Sequence, residues 1–124
     1  MSKNVTVTRY NARIAETENT LLELQERYKK VNLSDKSMWS NQSFLFTRQL
    51  ENMLHLARVV ALGARLRDES RGSHYKPDFP ERDDERFLKT TKAFYNSGSN
   101  EPRIEWEDVD ISLIKPRPRR YDSK

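Results

Sequence analysis

The stretch Asn41-Gln42-Ser43-Phe44-Leu45-Phe46-Thr47-Arg48-Gln49-Leu50-Glu51-Asn52-Met53-Leu54-His55-Leu56-Ala57-Arg58-Val59-Val60-Ala61-Leu62-Gly63-Ala64-Arg65-Leu66-Arg67-Asp68 decides the fold. Phe46, Leu50, Met53, Ala57, Val60 and Ala64 recur at alternating steps of four and three, the period of one helix face. Leu45, Leu56, Val59 and Leu66 form a second stripe on an adjacent face. A helix apolar on two faces is expected to lie between neighbours rather than on a surface. Ser40 or Asn41 can cap its start, and Ala57, Ala61, Gly63 and Ala64 leave room for another backbone near its end.

Upstream, Ile14, Leu21, Leu24, Tyr28 and Val31 step by helical intervals, with Thr17 in the missing position, which predicts a helix from about Tyr10 to Val31. The polar cluster Asn32-Leu33-Ser34-Asp35-Lys36-Ser37 ends it. Downstream the character changes. Arg71 to Pro80 has two prolines and no helical period, so it reads as irregular. Glu81 to Leu88 can form one or two helical turns, with acids near the positive end of the dipole. Thr90–Tyr95 and Arg103–Glu107 flank Asn96-Ser97-Gly98-Ser99-Asn100, and Ile104 and Trp106 alternate with charges, the pattern of a β-hairpin. The expected architecture is mainly α. A helical-bundle part covers residues 1–70, and an irregular segment, a short helix, a β-hairpin and a basic tail cover 71–124 as part of the same domain.

With 124 residues, one domain is the expectation. Hydrophobic residues make up only 35% and charged residues 34%, so the core must be thin and part of the chain should pack on another surface. No cysteine is present, which excludes disulfides, thiolate metal sites and a cysteine nucleophile. The run Val59 to Ala64 is bounded by Arg58 and Arg65, too short to span a bilayer, and no apolar stretch follows Met1-Ser2-Lys3-Asn4 as a signal peptide requires. A soluble intracellular protein is expected. The net charge of +4 sits in residues 115–124, where Lys115, Arg117, Arg119, Arg120 and Lys124 face only Asp122. The rest is neutral, which argues against a folded nucleic-acid face and for a Pro-interrupted, solvated or partner-docked tail.

The only glycines are Gly63, Gly72 and Gly98, so no dinucleotide fingerprint, phosphate loop or nucleophile elbow can be built. His55 lies between the helix stripes and reads as a packing or surface residue. His74 sits beside Arg71 and Lys76 in the irregular segment, with Asp78 near. Arg71 and His74 are expected to bond backbone carbonyls and hold a segment without a ladder of its own, ahead of the alternative of touching a substrate. Asp83 and Asp84, with Glu81 and Glu85, are interleaved with Arg82 and Arg86 and read as a self-paired turn rather than a metal site.

The run Glu69-Ser70-Arg71-Gly72-Ser73-His74, followed by Asp78, Pro80 and Arg82-Asp83-Asp84 and then Leu88-Lys89-Thr90-Thr91, resembles the C-terminal domain of the flavoprotein subunit of succinate dehydrogenase and fumarate reductase. The family pattern is E-S-R-G-A-H, then D-x-P-x-R-D-D, then L-K-x-T, with Ser73 where alanine is usual. The similarity extends through Leu24–Tyr28, the Asn41–Leu62 helix and Ile104–Val109. It implies a spectrin-repeat-like helical bundle whose first helix is truncated, with Met1–Val5 a cut through it. It also implies a non-catalytic assembly and interface domain, inactive and colourless in isolation. FAD, the catalytic residues and the substrate site belong to other parts of the subunit, and no residue here is assigned to catalysis, cofactor or metal. The interface or structural residues are Ser70, Arg71, Gly72, His74, Asp78, Arg82, Asp83 and Asp84. Implied partners are the flavin domain of the same subunit, the iron–sulfur subunit and, only indirectly, the membrane anchor. The parent complex would be peripheral on the inner face of the cytoplasmic membrane. Two apolar stripes on the 41–68 helix need cover on two sides and the chain offers one full-length helix, so the stripe left open predicts self-association of the chain, as a dimer. An L-aspartate oxidase fragment and a free-standing nucleic-acid-binding module are the alternatives.

Overall fold

A computed structural model describes residues 1–96, 98, 99 and 101–117. Helices α1 (Asn11–Tyr28) and α2 (Gln42–Leu66) are followed by a single turn α3 (Asp84–Phe87) and strands β1 (Lys89–Phe94) and β2 (Arg103–Asp108). Arg119, Arg120 and Lys124 of the expected basic tail, and Ser97 and Asn100 of the hairpin loop, lie outside the described residues.

α1 ends at Tyr28, three residues short of the expected Val31, because Lys30 and Val31 close turns onto Arg27 and Tyr28 instead. Asn41 caps α2: its side chain accepts from the Phe44 amide at 2.9 Å and donates to the Asp35 and Ser37 carbonyls, which ties the connecting loop to the helix start. Residues 1–5 form a turn closed by the Asn4 and Val5 amides on the Met1 carbonyl.

The helices run antiparallel, as Tyr28 meets Glu51, Gln25 meets Arg58, Glu18 meets Arg65 and Asn11 meets Asp68. Ile14 and Leu21 of α1 pack on Leu54, Ala61 and Ala64 of α2, with Val5, Leu24, Tyr28 and Ala57 at the edge. Here the periodicity reading needs correction. Phe46, Leu50, Met53 and Val60 of the expected principal stripe are exposed, and so are Leu45, Leu56 and Leu66 of the second. Ala57 and Ala64 of the principal stripe do face α1, joined there by Leu54, Arg58 and Ala61. Small alanines let α1 approach closely there, and one helix can cover only one face.

β1 and β2 pair antiparallel, from Lys89 opposite Asp108 to Phe94 opposite Arg103. The hairpin seats on the end of α2: Thr91 lies against Gly63, and Trp106 packs on Phe87 of α3 at 5.6 Å between ring centroids.

Candidate functional site

The segment between α2 and α3 is built from two tight turns. Arg71 and His74 exchange both backbone hydrogen bonds, at 2.8 and 3.0 Å, around the two-residue loop Gly72-Ser73. Gly72 has φ +60, which a side chain rarely adopts, while Ser73 stays at negative φ. A positive first and negative second loop residue is the pattern of a II′ hairpin turn. A second turn, Lys76-Pro77-Asp78-Phe79, closes with the Phe79 amide on the Lys76 carbonyl. Ser70 clamps the two turns together, its hydroxyl accepting from the Lys76 amide at 2.9 Å and donating to the Phe79 carbonyl at 2.8 Å.

The expectation that this segment lacks a ladder is therefore corrected. Residues 7–9 run alongside it, with the Tyr75 amide on the Val7 carbonyl and the Arg9 amide on the Tyr75 carbonyl. The partner is more than sixty residues away in sequence, so no local pattern announces it.

Charge is buried beneath these turns. Glu69 has 0% exposure. One of its oxygens accepts from Arg67 at 2.6 Å and from Arg71 Nε at 2.9 Å; the other accepts from Arg71 Nη2 at 2.9 Å and from the Asp83 amide at 3.0 Å. Burial alone would raise the Glu69 pKa, but the bonds from Arg71, Arg67 and the Asp83 amide outweigh it and hold the group below the ordinary carboxylate value. Arg71 also reaches Asp84 at 2.7 Å. Its guanidinium is held above the usual value chiefly by the Glu69 bond, with Asp84 adding to it against burial. Arg71 thus bonds carboxylates, with only a long contact to the Asp83 carbonyl, where bonds to carbonyls were expected.

Lys76, also at 0% exposure, donates to Asp68 at 2.8 Å and to the Arg65 carbonyl at the end of α2 at 2.9 Å. Asp68 takes a further bond from Asn11 at the start of α1. Burial pushes Asp68 up, and the bonds from Asn11 and Lys76 more than reverse it. Arg67 ties the end of α2 to the rest. It donates to the Phe87 and Lys89 carbonyls, both at 2.7 Å, and lies 4.9 Å from the Trp106 ring centroid.

His74 does what the sequence suggested, through Nε2 on the Arg67 carbonyl at 2.9 Å. Its Nδ1 meets Arg9 Nη1. A guanidinium can only donate, so Nδ1 accepts and the proton sits on Nε2. Burial, then the charges of Arg9, Lys76 and Arg67, push its pKa below the usual histidine value against the Arg67 carbonyl bond.

Seven of the eight residues singled out in the sequence converge here. Ser70, Arg71, Gly72 and His74 form the turns, Asp83 caps α3 by accepting from the Arg86 amide, and Arg82 bonds Asp84 at 2.6 Å and the Arg117 carbonyl at 2.9 Å. The acidic turn is therefore paired partly across the segment, through Arg71, and not only within itself. Asp78 is exposed and has no side-chain partner among the described residues. Arg67, Asp68, Glu69 and Lys76 escaped notice as site residues. The dense alternation Arg65-Leu66-Arg67-Asp68-Glu69-Ser70-Arg71 was the available signal, since charges at a helix exit that leads into a buried turn must pair. His55 bonds Gln25 at 3.2 Å and lies edge-on to Tyr95, a packing residue as read.

The described residues do not fit a dinucleotide cofactor. Gly72 closes a tight turn, Gly63 faces Thr91 inside a helix, and the Phe44 amide at the α2 start is taken by Asn41, so none of these places among the described residues forms a phosphate cradle. Among the described residues no group of three His, Asp or Glu is arranged to hold a metal, and no helix is long and apolar enough to cross a membrane.

Residues 1–121 match the family model for the fumarate reductase flavoprotein C-terminal region. The chain belongs to this family. The C-terminal domain is 54% identical to the succinate dehydrogenase flavoprotein subunit of Bacillus subtilis over 124 residues, all of this chain and 21% of that one. It is 38% identical to the fumarate reductase flavoprotein subunit of Haemophilus influenzae over the whole chain and 20% of that subunit. A solved E. coli quinol fumarate reductase structure superposes with a TM-score of 0.87 at 37% identity, over 95% of this chain and 20% of that one. The domain thus spans about a fifth of the length of the curated relatives it matches. These matches favour the succinate dehydrogenase and fumarate reductase side over an L-aspartate oxidase fragment or a nucleic-acid module, and the helix-rich fold with one hairpin agrees with the expectation.

Proposed function

We propose that this chain is the C-terminal assembly and interface domain of a succinate dehydrogenase or fumarate reductase flavoprotein, and that it is not catalytic by itself. In this reading FAD and the dicarboxylate site lie in the remainder of the subunit, which interconverts succinate and fumarate and passes electrons to an iron–sulfur subunit. The domain docks on the flavin domain, its tail lies towards the iron–sulfur subunit, and the membrane anchor is reached only indirectly. The complex would be peripheral on the inner face of the cytoplasmic membrane.

One observation carries the reading. Buried charges of the 67–84 region are paired within the domain, whereas Phe46, Leu50, Met53, Leu56 and Val60 of α2 stand open to solvent, with Met53 and Leu56 each 64% exposed. A site built for polar chemistry keeps groups unspent in a cavity; a docking domain keeps apolar surface unspent outside. Without its partner this face should pair with a second copy, giving a colourless dimer without succinate-dependent dye reduction. Sedimentation of the purified chain, alone and as the Met53→Ser/Leu56→Ser variant, tests it. A concentration-dependent dimer that the variant abolishes supports the reading. Stoichiometric flavin in the preparation, or a monomer at every concentration, overturns it.

A further inference from the structure

We infer that His74 is an acid-sensitive latch, which holds the 7–9 segment against the 71–79 turns while its ring is neutral and releases it when the ring takes a second proton. The geometry leaves no place for that proton. Nε2 already carries a hydrogen and donates it to the Arg67 carbonyl, so the incoming proton must go to Nδ1. Nδ1 is the acceptor for Arg9 Nη1. Protonation turns the acceptor at this contact into a donor and sets two positive charges against each other.

Among the described residues no acid is placed to compensate. Arg9 faces the ring from the N-terminal segment, Arg67 from the end of α2, and Lys76 from the ring's own segment, and all three are cationic. The adjacent carboxylates are engaged elsewhere, Asp68 with Asn11 and Lys76, and Glu69 with Arg67, Arg71 and the Asp83 amide. His74 itself is 8% exposed, so water cannot solvate the charge in place. The cheapest relief is for Arg9 to leave.

Departure of Arg9 has a defined consequence. Its Nε also bonds the Thr6 carbonyl, and its amide and that of Tyr75 supply the two backbone bonds that hold residues 7–9 alongside the turns. The helix pair and the Glu69 pairs share none of these bonds. Release should therefore be local. The direction follows from the depressed histidine pKa: the latch is fully closed above the ordinary histidine value, about 6.5, and weakens as pH falls below it until the lowered value is reached.

Amide exchange of the purified chain between pH 5 and 8, corrected for intrinsic exchange rates, tests this. Protection of the Arg9 and Tyr75 amides should fall about tenfold per pH unit below about 6.5, while amides in the middle of α2 hold steady. In His74→Gln the side-chain amide can accept from Arg9 and donate to the Arg67 carbonyl without titrating, so the fall should vanish. A fall that persists in His74→Gln, no fall in the wild type, or a parallel fall in α2 overturns the latch. Should the variant not fold, nitrogen shifts of the His74 ring in the wild type decide. Protonation of Nδ1 must coincide with loss of the two amides, and protection lost while Nδ1 stays unprotonated overturns it equally.

Discussion

The two halves of this domain reverse the usual placement of polarity. In the helix pair, the most apolar face of α2 lies outside, and the face against α1 includes Arg58 and a partner Gln25, bonded at 3.2 Å. In the 67–84 region, by contrast, a glutamate and a lysine are fully buried. The helix pair holds together through few large side chains, whereas the turns hold through paired charge. An apolar surface left outside is free to dock, and a charge network closed on itself is a fixed frame. Together they support the docking role proposed above, with the exit from α2 locked in one shape.

The largest effect should come from opening that frame. Glu69→Gln removes the charge that neutralises Arg67 and Arg71 beneath the turns. Breaking a buried pair from one side costs about 3 kcal/mol or more, a large share of a small domain's stability. Thermal unfolding of the chain should show a melting point lower by about 10 °C. If Glu69→Gln melts with the wild type, the turns are not held by charge and the contrast between the halves fails.

A smaller loss is expected at the turn itself. Gly72 has open space where a Cβ would stand, so Gly72→Ala isolates the cost of its positive φ. That cost is about 1–2 kcal/mol, read from chemical denaturation. On the helix side the sign reverses. A Cβ at Gly63 would meet Thr91 Cγ2 at 3.8 Å, an ordinary contact, so Gly63→Ala should stabilise by about 0.5–1 kcal/mol. A loss at Gly63 would mean that the hairpin seats more tightly on α2 than this distance allows.

The helices and hairpin were legible in the sequence because each follows a local period. Asn41 as cap and Ile104 and Trp106 as alternating strand residues were readable one by one. What periodicity could not say is which face of α2 meets α1. The large members of the strongest apolar stripe, Phe46, Leu50, Met53 and Val60, are left open while its Ala57 and Ala64 face α1, since apolarity marks burial without naming the partner. The motif residues were found, but not their bonding. Arg71 reaches past Glu69, two residues before it, to Asp84 thirteen residues on, and His74 meets Arg9 sixty-five residues back in the chain. Such long-range pairings leave no spacing to read.

The account rests on the turn network being a frame for assembly and not part of the chemistry. The most direct measurement is on Arg71→Ala in the full flavoprotein, with subunit content and turnover per flavin taken from the same preparation. The variant removes the two-point contact with Glu69 and the bond to Asp84. The account predicts less assembled complex and a lower melting point, with near-normal turnover in whatever assembles. A fully assembled enzyme with normal stability and collapsed turnover would contradict it.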